Sequence, residues 1–373
     1  MKNIGVLGCT GSIGTTALRV IRDNNYSVGL LANYSDYDGL INLIAEFKPK
    51  IAVCIQKKYL YVDGKEYSLP DDFLKRPATY DGLDIVVNGI VGIAGLEPTL
   101  AVLKSKAILA TANKESFVCA GSIINKFGSV KNGKIYPLDS EHSAIWQLID
   151  GRNDVNKVTI TASGGAFRDL SKDELIRAKA ADALRHPTWV MGKKVTIDCA
   201  TLMNKGMELI EAKHLYHLPC EAIGHRDSII HAIAEYNDGN IFVNMSRPTM
   251  YTPINYALCY PDIDKNDNYP LQYAKEKNFS FFELDEDRFP CLTLAKEVVK
   301  SGDIAGCVMN SANEVLVNKY LRNEISFYDI SRGISSAMDK FAESGDFSDV
   351  ESVVRIDGQV KEYTLSMEFG GKN

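Results

Sequence analysis

The chain opens with a short apolar run at 3–7, passes directly into Gly8-Cys9-Thr10-Gly11-Ser12-Ile13-Gly14, and continues as an amphipathic segment over 13–23. Glycines between a strand and a helix let the backbone approach a phosphate closely. The helix N-terminus then offers free N–H groups and the positive end of its dipole to a pyrophosphate. The spacing is GxxGxxG rather than GxGxxG, and a tight structural turn uses glycines too. The rhythm that follows favours a dinucleotide site. Strand-like runs at 27–32, 50–55, 84–87, 107–111 and 134–138 alternate with helix-like segments at 39–47, 98–106 and 115–127. Such alternation predicts a parallel sheet with right-handed crossovers, so residues 1–139 read as an α/β, Rossmann-like nucleotide-binding domain.

Beyond Asp139 the rhythm changes. A helix at 140–148, a strand ending in Thr161, a strand at 194–197 running into NKGMELIEAKHLY, and a hairpin within 227–246 turning at Asp238-Gly239 make an α+β catalytic domain over 140–262. A polar stretch centred on 261–277 reads as a linker, bounded at 263–289. Helices at 292–300, 311–320 and 329–344 then make a C-terminal helical domain over 290–373. A chain of 373 residues is too long for one ordinary core. With 45% hydrophobic and 24% charged residues and a mean hydropathy of −0.12, it has the composition of a soluble globular protein. A net charge of −6 excludes the basic footprint of a nucleic-acid binder, so any phosphorylated ligand must be met by local positive charge. The eight cysteines form no CxxC pair, which predicts reduced thiols in a cytoplasmic protein. The N-terminal apolar stretch is too short for a signal peptide, and the longest uncharged run, 85–96, contains Asn88 and three glycines, so no membrane span is expected.

Three further constellations carry chemistry. Asp139-Ser140-Glu141-His142 follows a strand-like run. Residues i and i+2 of extended chain point the same way, so Asp139 and Glu141 can chelate one cation, although an N-cap Asp with a first-turn Glu is an equally ordinary reading. His142 by itself reads as a packing or capping residue. In Asn204-Lys205-Gly206-Met207-Glu208, helical spacing brings amide, ammonium and carboxylate to one face, where the bland alternative is a surface Lys/Glu pair. A third carboxylate would complete an oxygen-rich site for Mg²⁺ or Mn²⁺. Ser163-Gly164-Gly165 after a strand forms a natural phosphate cradle. His186 and Trp189, in a proline-containing loop at about 183–193, suggest a lid over a ligand, a turn and a core tryptophan being the plainer reading.

In order, GCTGSIG, ANKE at 112–115, DSEHSA at 139–144, SGGAF at 163–167, HPTWVMG at 186–192 and MNKGME at 203–208 resemble the motifs of the 1-deoxy-D-xylulose 5-phosphate reductoisomerase family, and RFPC at 288–291 and ANE at 312–314 extend the resemblance over essentially the whole chain. That resemblance implies that Asp139, Glu141 and Glu208 hold Mg²⁺ or Mn²⁺, with Co²⁺ as a substitute. It implies that Lys114, Ser140, Ser163, His186, Asn204 and Lys205 hold the substrate together with Glu141 and Glu208, with Ser163, Asn204 and Lys205 nearest its phosphate. Lys114 and His186 join the three carboxylates as the catalytic set. Thr10, Gly11, Ser12, Ile13, Asn113, Glu115 and Gly192 would contact NADPH. The implied reaction is a carbon-skeleton rearrangement followed by hydride transfer, giving 2-C-methyl-D-erythritol 4-phosphate, in a homodimer. The plainer alternatives are an NAD(P)-dependent sugar-phosphate dehydrogenase without rearrangement, which has no use for three carboxylates, and a non-catalytic NADP sensor. Two positions depart from the family pattern: Cys199 replaces a phosphate-binding serine, and Ala32-Asn33-Tyr34-Ser35-Asp36 lacks the Lys or Arg that meets the 2′-phosphate of NADPH.

Overall fold

The computed structural model describes residues 1–184, 191–263 and 278–370. The expected alternation is present: β1 (Asn3–Leu7), α1 (Ser12–Asp23), β2 (Ser27–Asn33), α2 (Tyr37–Phe47), β3 (Ile51–Cys54), β4 (Tyr59–Val62), β5 (Lys65–Ser68), β6 (Ile85–Asn88), α3 (Leu96–Lys104), β7 (Ile108–Thr111), α4 (Lys114–Ile124) and β8 (Ile135–Pro137). These strands form one sheet in the order β5-β4-β3-β2-β1-β6-β7-β8. From β3 across to β8 every pairing is parallel. Parallel strands covered on both faces need unbroken apolar runs, which is why Ile4, Val6, Leu30, Leu31, Val86 and Val87 are wholly buried. The strand order reverses its direction of growth at β1. The carboxyl ends of β1 and β6 therefore flank the crevice where doubly wound sheets bind ligands.

One hairpin is absent from the sequence reading. After β3 the chain turns back antiparallel into β4 and β5, joined by Asp63-Gly64, both at positive φ (47° and 85°). An Asp-Gly pair between β-rich runs is the signature of a tight hairpin. It was legible in YLYVDGKEYS, although the fully exposed β5 lacks the apolar alternation that marks a strand.

The remaining elements are α5 (Ser140–Ile149), β9 (Val155–Ala162), α6 (Lys172–Arg177), α7 (Ala180–Ala183), α8 (Lys193–Ala200), α9 (Met203–Tyr216), β10 (Cys220–Gly224), β11 (Ile230–Tyr236), β12 (Ile241–Met245), α10 (Tyr251–Cys259), α11 (Pro290–Ser301), α12 (Asp303–Leu321), α13 (Phe327–Phe341) and α14 (Val350–Ser366). A second sheet runs β10-β9-β11-β12. The β11–β12 hairpin turns at Asp238-Gly239 as expected, with Gly239 at φ 85°. The strand expected at 194–197 is instead helix α8. Its β-branched Val195, Thr196 and Ile197 suit a strand, but Thr196 bonds back to the Gly192 carbonyl through both its N–H and its hydroxyl (3.0 Å each), and Lys194 reaches Asp198 one turn on at 2.8 Å. With Thr196, Ile197, Asp198 and Ala200 buried, tertiary packing overrides the local preference. The three expected C-terminal helices appear as α11, α12 and α13, and α14 is added. Of the expected linker, 264–277 lies outside the described residues; at its described end Phe282 pairs backbone to backbone with Gly224 (2.8 and 3.0 Å).

The chain forms two compact units. The first holds the eight-stranded sheet and a return segment beginning at Thr249 that contains α10; the second holds the four-stranded sheet, α6 to α9, the C-terminal helices and residues 117–123 of α4. In the first unit the Lys2 ammonium donates to the carbonyls of Leu258, Cys259 and Tyr260 at 2.8, 3.0 and 2.9 Å. It thereby satisfies the orphan acceptors at the end of α10. In the second unit Asp303 heads α12; one carboxylate oxygen accepts from the Ser122 amide (2.8 Å) and hydroxyl, and the other lies 3.2 Å from His214 Nε2. Among the described residues no helix is long and apolar enough to cross a membrane.

A Cβ at Gly306 would lie 2.1 Å from the Val118 carbonyl oxygen. Gly306→Ala must push α12 away from residue 118, and overpacking of this kind costs about 1–3 kcal/mol. Urea unfolding should show that loss with the m-value preserved. An unchanged midpoint would mean that the two backbones are not in contact.

Candidate active site

At the carboxyl end of β1, Gly8 takes φ 77° and the missing Cβ of Gly14 leaves room for the Gly8 carbonyl, which such an atom would meet at 2.2 Å. The Gly8 and Cys9 amides both donate to the Ala32 carbonyl (2.8 and 3.0 Å), tying the loop to β2. No side chain caps α1, so the first-turn N–H groups around Ser12 and Ile13 remain available to an anion. Thr10 meets the Asn33 amide at 3.4 Å. Burial pushes the Cys9 thiol up to about 12, with the Asp36 carboxylate adding in the same direction.

Asn113 and Glu115 follow β7 on the same edge of the sheet. The Asn113 amide nitrogen donates to the carbonyls of Ile90 and Gly92 (2.7 and 2.9 Å), and its oxygen accepts from the Ser116 hydroxyl. That side chain is committed to shaping the loop after β6. Gly192, the remaining expected cofactor contact, belongs to the second unit as the N-cap of α8.

At the end of β8 the chain bends sharply. Asp139 occupies the position ahead of α5, its carbonyl accepting from Ser143 N–H (2.8 Å), and its carboxylate pairs with the Lys114 ammonium at 2.6 Å. Glu141 lies in the first helical turn, so the extended i, i+2 geometry does not hold; the two acids are related by a cap and a turn instead. The Ser140 hydroxyl donates to Glu141 at 2.5 Å. His142 is wholly buried, as a packing residue.

In the second unit β9 delivers Ser163-Gly164-Gly165, with both glycines at positive φ (84° and 72°). A Cβ on Gly165 would stand 2.3 Å from the Cys199 carbonyl, so only glycine allows this loop to rest on the end of α8. The Ser163 hydroxyl accepts from the Gly165 amide at 3.2 Å. After α8, Leu202 turns the chain through the left-handed region into α9. There the expected face forms: the Asn204 amide donates to one Glu208 oxygen at 2.5 Å and the Lys205 ammonium to the other. Lys205 and Glu208 are 4% and 1% exposed, so this is a buried ion pair and not a surface one. His186 lies outside the described residues, as does 185–190 of the expected lid.

Asp198 is a site-supporting residue that the sequence reading passed over. Buried, it accepts from Lys194 and from Asn313 Nδ2, both at 2.8 Å, and so ties α8 to α12. The i, i+4 spacing of Lys194 and Asp198 would have disclosed it had the segment been read as helix.

A doubly wound sheet with an uncapped glycine loop at its switch point, and a second unit carrying a buried amide–ammonium–carboxylate face, define the class of nucleotide-dependent oxidoreductases acting on a phosphorylated or otherwise anionic substrate. Three family models match in succession: 1-deoxy-D-xylulose 5-phosphate reductoisomerase at 4–121, the C-terminal domain of that enzyme at 135–216, and the DXP reductoisomerase C-terminal domain at 245–363. The 1-deoxy-D-xylulose 5-phosphate reductoisomerase of Clostridium botulinum (strain Loch Maree / Type A3) is 40% identical over 97% of this chain and 98% of its own. That of Sulfurihydrogenibium sp. (strain YO3AOP1) is 41% identical over 95% and 94%. A solved DOX-P reductoisomerase in complex with NADPH, fosmidomycin and magnesium matches with a TM-score of 0.90 at 34% identity, over 98% of this chain and 97% of that one. The Zymomonas mobilis enzyme in complex with NADPH gives 0.86 at 34%, over 98% of each chain. The chain belongs to the 1-deoxy-D-xylulose 5-phosphate reductoisomerase family.

Only thiolate is nucleophilic, so a Cys9 thiol held near 12 stays protonated at neutral pH. Iodoacetamide at pH 8 should leave Cys9 unmodified in the native protein, read by peptide mass spectrometry. Rapid labelling there would show that the glycine loop opens.

Proposed function

We propose that this protein uses NADPH and Mg²⁺ or Mn²⁺, with Co²⁺ accepted, to rearrange and reduce 1-deoxy-D-xylulose 5-phosphate to 2-C-methyl-D-erythritol 4-phosphate in the cytoplasmic, non-mevalonate route to isoprenoid precursors. The observation that carries the reading is the buried Asn204–Lys205–Glu208 face, in a chain alike over 97% of its length to a reductoisomerase. Asp139, Glu141 and Glu208 each offer a carboxylate oxygen, and an all-oxygen donor set suits a hard dication. When bound, that cation acts as a Lewis acid toward substrate oxygens. The chain's own groups bind and orient: Lys114, Ser140 and His186 hold the carbon skeleton, while Ser163, Asn204 and Lys205 receive the phosphate. Thr10, Gly11, Ser12 and Ile13 take the pyrophosphate of NADPH on the open end of α1, with Glu115 and Gly192 beside it and Asn113 acting through the loop it holds. In this reading 1–139 binds NADPH, 140–262 carries the chemistry, and 290–373 is the helical domain beyond the 263–289 linker.

The working form is a homodimer. β12 is the outer strand of its sheet, and Ile241, Phe242 and Val243 are 63%, 47% and 42% exposed. An apolar edge strand with unpaired backbone groups is a template for association unless it is covered, and a second copy is the occupant proposed. Light scattering should find a dimer for the wild-type protein and a monomer for Phe242→Glu; a monomeric wild type refutes the assembly.

The first assay is NADPH oxidation with 1-deoxy-D-xylulose 5-phosphate, with and without Mn²⁺, and with identification of the product. Metal-dependent oxidation yielding the branched product is expected, and Glu208→Gln should abolish turnover while NADPH still binds. A straight-chain product would instead favour a simple dehydrogenase, and full activity of Glu208→Gln would remove that residue from the metal set.

A further inference from the structure

The corner between β2 and the glycine loop is where a doubly wound fold meets the adenosine ribose of its cofactor. Here Asn33 ends β2 beside Thr10, and the Gly8 and Cys9 amides fold onto the Ala32 carbonyl. A 2′-phosphate brings up to about two negative charges, normally answered by an arginine or lysine just past the second strand. Residues 31–38 read Leu-Ala-Asn-Tyr-Ser-Asp-Tyr-Asp, with two acids and no cation. Asp36 is also spent locally: it caps α2, accepting the Gly39 amide at 2.9 Å.

A loop that carries cations borders this corner from another direction. The loop between β3 and β4 lies against the end of β2, with the Ile55 amide donating to the Asn33 carbonyl at 3.1 Å and the Gln56 amide to the Tyr34 carbonyl at 2.7 Å. The next two residues are Lys57 and Lys58, both exposed. Lys58 turns away to pair with Asp71, whereas Lys57 engages no acidic side chain among the described residues. Since Gln56 is bonded to Tyr34, Lys57 sits one residue from the backbone contact that defines the ribose corner, on a flexible stem of four methylenes.

We infer that Lys57, carried by the hairpin loop and not by the β2–α2 connection, is the residue that selects the 2′-phosphorylated cofactor in this protein. The inference rests on the NADPH reading above. The antiparallel turn after β3 thereby acquires a role: it brings a cation to a corner whose own loop has none.

The test is calorimetric binding to the full-length protein of 2′-phospho-ADP-ribose and of ADP-ribose, which separates cofactor recognition from turnover. Wild type should favour the 2′-phosphorylated probe. Lys57→Ala should weaken that probe by roughly tenfold, the scale of one charge-assisted hydrogen bond, with ADP-ribose binding unchanged. Lys57→Arg should retain the preference, and Lys58→Ala should leave it untouched. A Lys57→Ala protein with the wild-type ratio would overturn the inference while leaving NADPH use intact. Equal losses for both probes would also overturn it, by showing that the loop merely supports Asn33 and Tyr34. A wild type that does not distinguish the probes would defeat the NADPH reading itself.

Discussion

A carboxylate taken out of water without partners costs more than a protein's net stability can absorb, and the second unit is organised by that constraint. Asp198 is met by Lys194 and Asn313, Glu208 by Asn204 and Lys205, and Asp303 by Ser122 and His214. The partners of Asp198 and Asp303 come from different helices, so neutralising each charge also fixes how α8, α9, α12 and part of α4 pack. The glycine loop at Ser163 leans on the end of α8, so it inherits its position from Asp198. Buried ion pairs contribute little to net stability; here they specify one arrangement of the helices bearing the candidate substrate groups.

Much of this was legible in the sequence because it follows short-range rules. Apolar runs such as Ile85–Asn88 could belong only to covered strands, and Asn204, Lys205 and Glu208 share a face by helical spacing alone. What escaped notice depends on distant partners. Val195, Thr196 and Ile197 resemble a strand until Gly192, Asp198 and Asn313 are known to hold them as helix. Asp139 and Glu141 looked like neighbours in extended chain because nothing local marks the bend between them. The Asp63-Gly64 pair does mark a hairpin, but its outer strand is too exposed to show the apolar alternation of a strand. Nothing in Asn113 itself reveals that its amide holds Ile90 and Gly92, because those carbonyls lie 23 and 21 residues away.

The nucleotide corner shows a related division of labour. Its walls are backbone: the Gly8 and Gly89 carbonyls, the Ala32 carbonyl and the open amides of α1. Of these only the amides can donate to an anion such as the pyrophosphate common to every dinucleotide, while the carbonyls shape the loop, so discrimination is left to whichever side chains surround them. Evolution can therefore change those side chains, or bring them in from a neighbouring turn, without disturbing the loop.

The Lys2 staple has a consequence for how the molecule is made. The ammonium is synthesised well before its acceptors on Leu258, Cys259 and Tyr260, which follow 256 to 258 residues later. At ordinary rates of translation that delay is roughly ten to fifty seconds. Throughout it, α1 lacks α10, whose Tyr251 hydroxyl bonds Asp23 and whose Asn255 accepts from Asn24. The first unit thus remains unfinished while about half of the second is synthesised, and the face of α1 that α10 covers stays open until the chain returns.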